Sequence, residues 1–166
     1  MHDDTAIREL LVRDLGVRFG GHYEIEGHVD ASAASTALGQ HAEQGRSVAA
    51  VLVGDTAACG GGGFRAGIRE IHPHARRVLI VRRGEWKNEH PAVEAMRTGQ
   101  ADAYVFVPWG LPERWLYLPM TELLADWEAS QRPPTEVVQI VGEERERPEH
   151  LLVGILVERS YLMRDL

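Results

Sequence analysis

Apolar positions set the order of the elements. Ile7, Leu10, Leu11 and Leu15 recur at helical spacing, which predicts a helix starting near Thr5 with Asp3, Asp4 and Thr5 as its cap. Gly20-Gly21 closes it, and Tyr23 to Gly27 alternates apolar and polar side chains as a short strand does. Ala31 to Glu43 is rich in alanine, opens near Ser32 and Ser35, and has Gly45 behind it, so it reads as a second helix. Val48 to Gly54 is apolar without interruption, the pattern of a strand buried on both faces of a parallel sheet.

The alternation continues downstream. Phe64 to Ile71 predicts a helix closed by His72-Pro73, and Arg77 to Val81 a strand. Pro91 to Thr98 predicts a helix that stops at Gly99, and Ala103 to Val107 a strand that stops at Pro108. Leu116 to Ser130 places Leu116, Met120, Leu123, Leu124 and Trp127 on one helical stripe, the face expected to pack. The core domain is expected over residues 1–131, and a linker with a C-terminal appendage over 132–166. Gln131 to Thr135 reads as the linker, Glu136 to Val141 as a strand, and Pro148 to Arg159 as a helix. Helices alternating with apolar strands imply a mainly parallel sheet with helices on both faces.

Composition narrows the function. The chain has 166 residues, 44% of them hydrophobic and 26% charged, which fits one ordinary globular domain. A net charge of -7 argues against nucleic acid as a partner, because sequence-neutral binding depends on cationic side chains displacing counterions. Cys59 is the single cysteine, so neither an internal disulfide nor a dithiol centre can form within one chain. The acidic start and the lack of a long apolar run argue against export and membrane insertion, so the cytoplasm is the expected compartment.

Candidate chemistry gathers where strands end. Asp55 follows a buried strand and precedes the Gly60 to Gly63 run. A carboxylate there can accept a phosphoryl group if a magnesium ion and a lysine neutralise the charge, or it can simply open a turn or cap a helix. The glycines lack the spacing of a dinucleotide fingerprint and read as a flexible loop. The eight histidines show no pair one helical turn apart, so surface positions are expected for them and not a metal site.

Three strand ends, Asp55, Val81-Arg82 and Val107-Pro108, together resemble the receiver domain of response regulators. Within that family the chain is most similar to the receiver-like N-terminal segment of actinobacterial FAD-dependent thioredoxin-reductase-like fusion proteins. The similarity runs through His72 to Leu79, Val107 to Tyr117, Leu123 to Trp127 and Val138 to Gly142. It implies a flavodoxin-like three-layer sandwich, with Asp55 as the phosphoacceptor-like residue. It also implies a magnesium site, vestigial in this chain, from Asp3, Asp4, Asp55 and Ala57. Val81 stands where the family keeps a switching hydroxyl and Val107 where it keeps a lysine. The resemblance therefore implies a regulatory, protein-binding module, not an enzyme, that works without phosphorylation and without a resident cofactor. It makes Trp109, Trp115 and Tyr117 interface candidates, for a homodimer or for a redox or signalling protein. A residual magnesium-dependent phosphoacceptor and an accessory subunit of a flavin-dependent enzyme are the alternatives.

One expected element is missing. A receiver opens with the central strand of its sheet, whereas this chain opens with a helix. An empty central position would leave two ladders of unpaired backbone groups. Val137 to Val141 or Leu151 to Val157 is the expected replacement, from the same chain or from a second copy.

Overall fold

The computed structural model describes residues 4–54, 62–82, 86–108, 114–131 and 150–155. In chain order they form α1 (Asp4–Phe19), β1 (Tyr23–His28), α2 (Ala31–Glu43), β2 (Ser47–Gly54), α3 (Gly62–Ile71) and β3 (Arg76–Arg82), followed by α4 (Trp86–Arg97), β4 (Ala103–Val107), α5 (Tyr117–Gln131) and β5 (His150–Ile155). The strands form one sheet in the order β1-β5-β2-β3-β4, and every pairing is parallel.

Side-chain alternation along the strands divides the core in two. Val51, Val53, Leu79 and Val81 face Ala34 and Leu38 of α2, Ile68 of α3, and Ala92 and Ala95 of α4. Leu52, Val78 and Ile80 face Ile7, Leu11 and Leu15 of α1 and Met120, Leu124 and Trp127 of α5. The alternation breaks once: Ala49 and Ala50, adjacent in sequence, both belong to the α1/α5 layer. A bulge in the β2–β5 ladder between Val48 and Ala50 accounts for it, because the extra residue turns two successive side chains the same way.

β5 completes the sheet. His150 to Ile155 pairs in six consecutive positions with β1, from Tyr23 to His28, and on its other edge with β2 from Ser47 to Val53. The helix expected over Pro148 to Arg159 is therefore a strand at its centre. Leu-Leu-Val-Gly-Ile is a short apolar run that suits either state, and pairing on both edges decides it. The alternative filler, Val137 to Val141, lies outside the described residues.

Local details correct other expectations. Asp4 belongs to α1 and does not precede it. α2 is capped by Asp30, whose side chain accepts from the Ala33 N–H at 2.7 Å, so Ser32 and Ser35 sit inside the helix. Gly45 ends α2 with φ +69°, a left-handed conformation that favours glycine. Gly62 and Gly63 open α3 instead of extending the loop before it. α4 begins at Trp86, so Pro91 lies within the helix and forgoes one backbone bond.

The β3–β4 register is fixed by Arg77 and Asp102. The buried guanidinium reaches both carboxylate oxygens at 3.0 Å, and the Arg77 N–H adds a third bond to Asp102.

Candidate functional site

In a parallel sheet every strand ends at the same edge. Here that edge carries His28 of β1, Ile155 of β5, Gly54 of β2, Arg82 of β3 and Val107 of β4. Asp55 follows Gly54 directly, but Asp55, Ala57, Asp3 and Trp109 all lie outside the described residues.

Two further groups reach this edge through the backbone. α1 runs antiparallel to β1. Its last residue, Phe19, leads through a tight turn to Tyr23 at the start of β1, while Arg8 and Val12 lie against Gly27 near the strand's end. The first turn of α1, with Asp4, therefore points to the edge where Gly54 ends. Lys87, the chain's single lysine, stands in the first turn of α4, which follows the end of β3 after residues 83–85.

The two positions expected to be degenerate are apolar and turned to opposite faces. Val81 is 3% exposed and enclosed in the layer beneath α2, α3 and α4. Val107 is half-buried and packs against the α1/α5 layer. Neither side chain has an atom that can hydrogen-bond a phosphoryl oxygen.

Two of the three aromatic candidates lie among the described residues. Trp115 and Tyr117 are half-buried against the α1/α5 layer, and the Tyr117 ring meets Phe19 edge-on at 6.1 Å. Leu118, beside them, is 69% exposed.

Histidine placement departs from expectation, since His41 and His72 are buried. The His72 Nε2 bonds the Leu38 carbonyl at 2.9 Å, which ties the α3–β3 turn to α2. His41 belongs to a polar clasp on the α2 side of β1. One oxygen of Glu26 lies 3.2 Å from the His41 Nε2 and 3.3 Å from the His28 Nε2. Arg46 pairs with Glu24 and places Nη1 3.4 Å from the His41 Nδ1. Because a guanidinium only donates, Nδ1 is the acceptor, and Nε2 carries the proton given to Glu26. The sequence signal was the period-two series Glu24, Glu26, His28 on one face of a strand, but His41 becomes its partner only through the fold.

No group of three histidine, cysteine, aspartate or glutamate side chains is placed to hold a metal ion among the described residues. At the opposite, N-terminal edge of the sheet, Arg46, Ser47, His72, His74, Trp127 and Gln131 line a cavity of about 240 Å³. That is below the usual size of a small-molecule site. Among the described residues no helix is long and apolar enough to cross a membrane. Compared with known proteins, the chain matches no family model, no curated protein and no solved structure.

Proposed function

We propose that the chain is a receiver-like module of flavodoxin type that regulates by binding protein, itself included, and not by phosphoryl transfer. The observation that carries this reading is Val81. A receiver relays phosphorylation through a hydroxyl at the end of this strand, which draws its loop toward the phosphoryl group. Here that position is a buried hydrocarbon locked against the helices of one layer. Val107, where the resemblance expects a lysine, is equally unable to balance charge.

A second reading, a residual phosphoacceptor, draws support from the shared edge. Asp4, Lys87 and the residue before Asp55 all belong to elements that begin or end there. Magnesium would then be held by Asp55 with Asp3 or Asp4 and would neutralise the phosphoryl oxygens.

Adding beryllofluoride and magnesium to the chain, observed by amide NMR, decides between the two. The proposed module shows no saturable shifts next to Gly54. Saturable shifts there, abolished by Asp55→Asn and weakened by Lys87→Ala, overturn it in favour of the phosphoacceptor.

A further inference from the structure

The sheet is built from two separate stretches of chain. β1, β2 and α1, the helix that packs on β1, all precede residue 132, whereas the strand between β1 and β2, β5, begins at residue 150. Among the described strands, β1 touches the sheet through β5 alone. Without β5 the first part of the chain would present a slot bordered by two backbone edges, each with unpaired N–H and C=O groups. The slot is specific in shape as well as in hydrogen bonding. The bulge at Ala49 sets the register on one side, and on the other the close approach of α1 to Gly27 sets the depth.

We propose that this slot is the chain's self-association site, which takes His150–Ile155 from a second copy as well as from its own chain. The inference deepens the reading of a self-binding module and rests on that part of it. It does not depend on the state of Asp55.

Tether length is what admits the second copy. The stretch 132–149 links Gln131 at the end of α5 to His150. About 18 residues can span roughly 60 Å when extended. A domain of this length has a radius of gyration of about 15 Å, so the slot of an adjoining copy is within reach. The two ladders are the same whichever chain supplies β5, so no ladder bond is lost in the exchange. What differs is the local concentration of the strand, set by the tether in one case and by protein concentration in the other. When each copy gives and receives one strand, both slots are filled and the dimer closes on a two-fold axis. Converting one form into the other breaks both ladders, so the partition is set while the chain folds.

The test uses full-length chain with Cys59→Ser and one cysteine on each side of a ladder, Glu24→Cys with Leu151→Cys, positions paired between β1 and β5. The protein is refolded over a range of concentrations, oxidised, and separated under denaturing, non-reducing conditions. A tenfold rise in concentration during refolding should raise the ratio of interchain to intrachain cross-link about tenfold. Intrachain product alone at every concentration overturns the proposal, and so does a dimer of the double-cysteine chain in native mass spectrometry that gives only intrachain cross-links. Should that pair impair folding, Val48→Cys with Leu151→Cys probes the β2 side of the same strand. Failure here leaves the beryllofluoride result untouched, and a positive beryllofluoride result leaves strand exchange untouched.

Discussion

The hydroxyl of Tyr23, the first residue of β1, donates to the carboxylate of Glu128 in α5, joining an edge strand to a helix formed much later in the chain. The ring also meets Trp127 edge-on at 6.5 Å. Burial, followed by the hydrogen bond to and the charge of Glu128, pushes the phenol well above its ordinary value. Below a pH of about 10 both folded and unfolded chains keep this proton, and the contribution to stability is whole. As pH rises further the unfolded chain loses the proton first, so stability falls until the folded phenol ionises too. Urea midpoints measured at about pH 9 and about pH 11 should drop less for Tyr23→Phe than for the parent chain.

Glu26→Gln should loosen α2 from β1. The Glu26 oxygen faces His28 and His41 at once, and a neutral amide weakens both contacts. A loss of about 1–3 kcal/mol is expected by chemical denaturation. His41→Ala should cost a similar amount, and the double variant should fall short of the sum.

Asp102→Ala should be the most damaging loss of a surface-edge carboxylate. It would leave the Arg77 guanidinium, 6% exposed, without its partner, a loss of about 3–5 kcal/mol. Asp126→Ala removes the acid paired with Arg76 at 2.7 Å, but Asp126 is largely in solvent, so less than about 1 kcal/mol is expected. Equal effects in thermal unfolding would count against the role given to Arg77.

Gly27→Ala should destabilise by about 1–3 kcal/mol, because a Cβ there would sit 2.8 Å from the Val12 Cγ2 and drive α1 off the strand. Val12→Ala in the same chain should recover part of the loss. Additive behaviour of the two substitutions would show that the helix does not close over this glycine.

Val81→Thr restores the hydroxyl that the resemblance expects, yet it would bury that group beneath α4. A loss of about 1–3 kcal/mol is expected, with no gain of beryllofluoride response. A stable variant that acquires such a response would show that the enclosure of Val81 does not silence the pocket.

Much of the layered α/β order was legible because apolar periodicity is local. The runs at Val48 to Gly54 and Ala103 to Val107 announce strands without reference to any neighbour. The run at Leu151 was ambiguous by itself, since five apolar residues suit a helix or a strand until two edges are available to bind them. Cap identity failed for a related reason. Asp30 and Ser32 both suit the start of α2, and the extended backbone at Asp30 selects between them. At the candidate site, residue identities at 81 and 107 could be read directly, but their burial on opposite faces could not. The clasp of Glu26 with His41 was hidden because spacing along the chain carries no information about which helix lies over which strand.

The position of β5 also bears on synthesis. A ribosome releases α1 and β1 long before it makes the residues that bind β1 into the sheet, since Tyr23 waits for His150. During that interval the emerging polypeptide carries two bare strand borders, the kind of surface that chaperones shield and that neighbouring nascent chains seize. Slowing translation downstream of α5 should therefore lower the yield of correctly folded protein, and expressing the chain at low density should raise it.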